Sequence, residues 1–148
     1  MTDFQVRVAM IIQDYHPIVG GAERQLATIA PHLQARGVDV HIITRRYPGL
    51  AANETINNIP VHRLLAPKPK PVASVSFTLG ALNLIRRLKP DVLHAYNLFS
   101  PSTTAITAKR LFGIPVAVKV LRGGPLGDLD VLRRNVFSDR RLAAYRDN

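Results

Sequence analysis

Residues 6–33 read VRVAMIIQDYHPIVGGAERQLATIAPHL, and a change of period inside this stretch decides the fold. Residues 6–12 form a nearly continuous apolar run, the pattern of a strand covered on both faces in a parallel sheet. From Ala22 onward Leu26, Ile29, Ala30 and Leu33 recur at helical spacing, and Gly37 supplies a stop signal. Pro31 falls within that helix and predicts a kink, because it deletes one backbone hydrogen bond. Between strand and helix stands the pair Gly20 and Gly21. Two adjacent glycines there either make a tight strand-to-helix turn or let backbone N–H groups approach an anion at the positive end of the helix dipole.

The same alternation continues along the chain. Residues 38–44 and 59–65 read as the second and third strands, separated by a long, mobile polar connection that holds Pro48, Gly49, Asn57 and Asn58. Residues 66–71, APKPKP, predict an extended basic linker, because prolines lack donors and restrict the residues before them. A helix over about 74–88 follows, with an apolar stripe of Phe77, Ala81, Leu84, Ile85 and Leu88 and with Arg86, Arg87 and Lys89 at its carboxyl end. Pro90 stops it. Residues 91–96 form strand four, Ser100 and Pro101 read as an N-cap and first helical position, and Gly113 caps a helix ending at Phe112. Strand five spans 115–121, a glycine-rich turn follows, and the chain from 129 reads as a basic helical tail.

Strands alternating with helices predict an α/β, Rossmann-like, doubly wound and mainly parallel sheet in one domain over residues 1–148. Ligands of such sheets bind beyond the carboxyl ends of the strands. That rule sets 16–21, 96–100 and 122–124 along one rim.

Composition narrows the partners. Lys and Arg number 20 against 10 for Asp and Glu, so the surface potential is positive over wide areas and favours acidic partners: nucleic acid, anionic lipid or phosphorylated small molecules. With five Phe, four Tyr and no Trp, and no run in which aromatics interleave with basic residues, nucleic acid ranks last. No Cys is present, which excludes disulfides, thiolate metal sites and Cys nucleophiles. The five His, at 16, 32, 41, 62 and 94, show no paired spacing on one helix, so no metal site is expected. The amino-terminal apolar run is too short for a signal-peptide core or a membrane span, and a cytoplasmic protein is expected.

Neither familiar phosphate loop fits: G-x-G-x-x-G is absent, and no Lys-Ser or Lys-Thr follows the glycines. Strand two ends at Thr44, Arg45 and Arg46 instead of an acidic residue for a ribose diol. Taken together, however, residues 20–44 (GGAERQLATIAPHLQARGVDVHIIT), 89–101 (KPDVLHAYNLFSP) and 111–128 (LFGIPVAVKVLRGGPLGD) resemble the amino-terminal domain of family 4 glycosyltransferases of the two-Rossmann-domain (GT-B) type.

The resemblance implies a sugar moved from a nucleotide-sugar to an acceptor hydroxyl, with the nucleotide-sugar as co-substrate and no further cofactor. This domain would shape the acceptor side, and a second Rossmann domain would hold most of the donor. Gly20 and Gly21 match the loop that approaches the donor diphosphate; His16, Tyr96, Asn97, Arg122, Gly123 and Gly124 match rim positions for acceptor or sugar. Family members often carry H-A-H on strand four, whereas this chain reads His94, Ala95, Tyr96. Tyr96 is thus the single candidate for a catalytic contact, as a hydrogen-bond donor and not a base, its reference pKa being about 10. His94, His41 and His62 read as hydrogen-bonded core or strand residues.

The family's donor site uses two Glu in an E-x7-E pattern, and this chain has only Glu23 and Glu54. The donor domain is therefore expected outside these residues, and the chain alone is expected to be inactive. The other reading is a non-catalytic binding module that uses basic clusters at 86–89, 133–134 and 140–141 on anionic lipid or polyanions.

Overall fold

The computed structural model describes residues 6–121 together with Gly127 and Ala143. The glycine-rich turn, the basic tail, the rim candidates Arg122, Gly123 and Gly124, and the clusters at 133–134 and 140–141 lie outside the described residues.

The elements run β1 (Val6–Ile11), α1 (Gly21–Ala35), β2 (Val38–Arg45), β3 (Asn53–Ile56), β4 (Ile59–Leu64), α2 (Lys70–Leu88), β5 (Val92–Tyr96), α3 (Ser100–Phe112) and β6 (Val116–Lys119). They build one sheet in the order β3-β4-β2-β1-β5-β6, parallel throughout except for the β3–β4 hairpin at one edge. This is the expected Rossmann-like doubly wound arrangement, with β1 at the centre. Because successive strand residues face opposite ways, β1 feeds two cores. Ala9 and Ile11 join Phe77, Ala81 and Ile85 of α2 and Ala105 and Ala108 of α3 on one face. Met10 and Ile12 join Leu26 and Ala30 of α1 with Val40, Ile42, Val61 and Tyr96 on the other.

Three local readings are corrected. Residues 53–56 of the supposed mobile connection form the edge strand β3, and the two-residue loop Asn57-Asn58 turns it into β4 with φ of 51° and 64°. Both residues at φ > 0 is the turn whose twist matches a hairpin, and asparagine tolerates it best after glycine. Lys70 and Pro71, read as extended linker, are the first helical residues of α2. A proline there forfeits nothing, since N–H groups in the first turn have no intrahelical acceptor. Phe99, not Ser100, is the N-cap of α3, so Ser100 and Pro101 sit one position further in than expected. Helix α1 continues through Pro31 to Ala35 and ends where Gly37, at φ 84°, takes the left-handed conformation.

A polar chain crosses four strands, from Arg7 near the amino end of β1 to His62 and Asn53, which lie level with Ile11 at its carboxyl end. Arg7 pairs with Asp39 (2.5 Å), Asp39 meets His41 Nε2 (3.2 Å), His41 Nδ1 meets His62 Nε2 (3.0 Å), and His62 Nδ1 meets Asn53 Oδ1 (2.9 Å). The two imidazoles are stacked, with centroids 5.3 Å apart. Burial lowers the His62 pKa first, with repulsion from His41 and Arg87 adding to it. His94 is lowered in the same sense, by burial and then by Lys119.

A lowered folded-state pKa means the unfolded chain takes up protons that the folded chain refuses, so stability is lost as the pH falls through the ordinary His range toward the depressed folded values. The urea midpoint is expected to decrease between about pH 7.5 and 5.5, and His62→Gln to flatten part of that dependence. An unchanged slope in the variant would remove His62 as its source.

Candidate functional site

At the carboxyl edge of the sheet the chain leaves β1 toward α1 on one face and leaves β5 toward α3 on the other. Loops that part in this way open a crevice at the switch in strand order. A cavity of about 840 Å³ lies there, lined by Gln13 and Asp14 after β1, by Gly20 to Glu23 at the start of α1, by Tyr96 and Asn97 at the end of β5, and by Lys119 at the end of β6 with Val120 and Leu121 after it. Gly20, Gly21, Tyr96 and Asn97, expected on one rim, are thus brought together. His16 is exposed and outside this lining.

The glycine pair does not owe its presence to backbone strain. Gly20, the N-cap of α1, has φ −120° and ψ −168°, an extended conformation open to any residue, and neither glycine has a positive φ. A Cβ on Gly21 would meet nothing within 4 Å, so its place is open space. A Cβ on Gly20 would collide with the Glu23 carboxylate, which folds back over the helix tip. An acidic group in the first turn is the one the helix dipole favours. Glu23 therefore sits where an incoming anion would be drawn.

Tyr96 is fully buried at the cavity floor, with burial raising its pKa above 10.0, so the phenol stays protonated as a donor. His94 packs against it at 4.7 Å between ring centroids, a ring contact in place of the hydrogen bonds expected for this core position. Lys119 Nζ lies 5.4 Å from the Tyr96 centroid, at cation–π distance, and donates to Gln25 Oε1 of α1. Asn97 adopts φ 87°, its N–H bonded to Lys119 O at 3.0 Å and its carbonyl accepting from Ser102 Oγ. Uncommon conformations of this kind in non-glycine residues cluster at ligand clamps.

Among the described residues four buried side-chain atoms have no hydrogen-bond partner: Tyr96 Oη, Asn97 Oδ1, Thr103 Oγ1 and Arg45 Nε. All four belong to the carboxyl edge, at strand ends or in the first turn of α3. Those residues also contain no group of three or more His, Asp or Glu placed to hold a metal, and no helix long and apolar enough to cross a membrane.

One residue of the site's framework escaped the sequence reading. Arg63 lies in β4 with only 1% of its side chain exposed. Its guanidinium donates to Glu54 at 2.5 Å and to the carbonyl of His16 at 2.8 Å, tying the β1–α1 loop to the β3–β4 hairpin. The alternation buried, half-buried through β4 put Arg63 on an inward position after Ile59 and Val61, and an arginine there signals an acceptor within its reach. The loop is held a second time by Tyr47, whose hydroxyl donates to Asp14. Burial, and then the Asp14 carboxylate, push the Tyr47 pKa up to about 12.

The family model Glycosyltransferase Family 4 matches residues 19–120. No curated protein matches the sequence. Solved structures similar to the chain include a sucrose-phosphate synthase from Thermosynechococcus elongatus (TM-score 0.70, 14% identity, 97% of this chain and 40% of that one). A glycosyltransferase from Streptomyces sp. SF2575, solved with thymidine diphosphate, gives a TM-score of 0.60 at 15% identity over 95% of this chain and 43% of that one. A UDP-GlcNAc 2-epimerase from Methanocaldococcus jannaschii gives 0.61 at 14% identity, over 95% and 37%. At these identities the likeness is one of fold, and the chain spans less than half the length of each structure.

Arg63→Met is expected to cost about 2 kcal/mol, since it removes the hydrogen bonds made by a buried guanidinium. Amide exchange of residues 16–20 should accelerate more than that of α2, as read by hydrogen–deuterium exchange. Uniform acceleration over the whole chain would mean that Arg63 supports the core generally and not this loop.

Proposed function

The chain belongs to Glycosyltransferase Family 4, and on that premise we propose that it forms the acceptor-side lobe of an enzyme that transfers a sugar from a nucleotide-sugar to an acceptor hydroxyl. The observation that carries the reading is the cavity at the β1–β5 switch, with the unobstructed glycine at the helix tip. Backbone N–H groups of the first turn of α1 would face the donor diphosphate and stabilise the charge that grows on it as the sugar departs. Tyr96 Oη and Asn97 Oδ1, buried without partners at the end of β5, would bond hydroxyls of the sugar or acceptor. Tyr96 donates there; its raised pKa disqualifies it as a base near neutral pH. His16, exposed on the loop that Arg63 holds, would touch the acceptor. A second Rossmann domain with an E-x7-E pair would bind the rest of the donor and close the cleft, and transfer would require it.

Titration of the 15N-labelled chain with uridine diphosphate is expected to shift amides of residues 20–23 and 96–97. Gly21→Val should keep the melting temperature within a few degrees, because the new side chain enters open space, yet weaken that binding at least about tenfold. Glu23→Gln should tighten it several-fold at low salt, because an anion competing for the helix tip is neutralised. If the nucleotide leaves residues 20–23 unshifted, or binds Gly21→Val as well as the parent, the diphosphate is held elsewhere.

A further inference from the structure

A second cavity, of about 670 Å³, opens at the same edge of the sheet, where the chain leaves β2 and β4 and enters α2. Arg45, Arg46, Lys68 and Lys70 all line it, and no acidic residue does. Four like charges around one cavity repel one another, and such a cluster costs stability unless an anion offsets it. Among the described residues no carboxylate does so: the ion pairs there join Arg7 and His41 to Asp39, and Arg63 to Glu54. Arg46 Nε is spent on the carbonyl of Leu50, at 3.0 Å, which shapes the loop, whereas Arg45 Nε is buried without a partner. Tyr47 and Leu65 provide apolar wall between the cations.

The two cavities share a partition. Asp14 lines the first, Tyr47 lines the second, and the hydrogen bond between them is the Tyr47–Asp14 contact that holds the β1–α1 loop. Asp14, which accepts from Tyr47, faces the first cavity, and the lining of the second holds no acidic residue. A molecule with an anionic end in the second cavity would carry its other end toward the first.

We propose that this second cavity is a phosphate subsite that anchors a phosphate-bearing acceptor for transfer at the first. The word acceptor rests on the reading of the first cavity; the phosphate subsite rests on the second cavity alone. Phosphate suits the site by charge and by the planar donor forks that Arg45 and Arg46 can offer to its oxygens.

The test uses the 15N-labelled 148-residue chain with inorganic phosphate, glucose 6-phosphate and glucose, and in a separate arm with phosphatidylglycerol or phosphatidylcholine vesicles. Amides of 45–49 and 65–70 are expected to shift with the two phosphates and not with glucose. The double variant Lys68→Glu, Lys70→Glu should weaken that binding about tenfold or more. Both lysines are exposed, and the spread of amide resonances verifies that the variant is folded. A response to soluble phosphates identifies a small phosphorylated acceptor; a response to phosphatidylglycerol vesicles alone identifies a lipid headgroup, and either upholds the subsite. Silence of these amides toward every anion, or equal binding by the double variant, overturns it. Uridine diphosphate shifts at 20–23 are read in the same samples, so the donor-side reading and this one fail separately.

Discussion

A parallel sheet must release every strand at the same edge, and in this chain two neighbouring strands hand their chain to opposite faces. β1 passes to α1 and β5 to α3, while one hydrogen-bonded register, Val8 to Ile11 against Val92 to Ala95, fixes the two strand ends side by side. The crevice is a consequence of that divergence, not of any one side chain. What the sequence adds is chemistry suited to the opening: a helix tip with little bulk, a phenol and an amide at the end of β5, and Lys119 from the neighbouring strand.

The helix tip illustrates how such a site manages without a bound anion. First-turn N–H groups have no intrahelical acceptors, and their summed dipole attracts negative charge. In this chain Glu23 folds over Gly20 and supplies that charge internally. The carboxylate places charge of the favoured sign at the helix start, and its reach over the glycine depends on the absent Cβ. The same glycine therefore serves both the resting arrangement and the approach of a ligand, which is why its two readings, turn and cradle, could not be separated by pattern alone.

Much of this was legible from one-dimensional signals because periodicity reports burial. The run at β1 and the spacing of Leu26, Ala30, Phe77, Ala81 and Ile85 record which residues face a core, and the sheet class followed from their alternation. Edge strand β3 was missed because Asn53, Glu54 and Thr55 are all exposed, so alternation carried no information there. The Asn57-Asn58 turn was the available signal. Lys70 and Pro71 misled for the opposite reason: proline's effect depends on its position in the helix, and position is known only once the start is fixed. Arg63 and the Tyr47–Asp14 bond were invisible because each joins segments dozens of residues apart, and pairing at that range is a property of the folded sheet.

The two ends of the sheet differ in how completely their polar groups are satisfied, and the difference argues for where binding happens. Toward the amino end Arg7 pairs with Asp39, also reaches Leu88 O at 2.6 Å and sends its N–H to Asp91 at 2.7 Å, and from Asp39 the contacts continue diagonally through His41 to His62 and Asn53. Such a network costs little because each group finds a partner. Toward the carboxyl end lie the four buried atoms without partners and the cations of the second cavity without carboxylates. Leaving a buried polar atom unpaired costs about 1–3 kcal/mol, so a fold under no other demand would have paired or replaced these groups. Had they been scattered over the sheet they would read as imperfect packing. Confined to the edge that the topology opens, they mark the groups a ligand would complete.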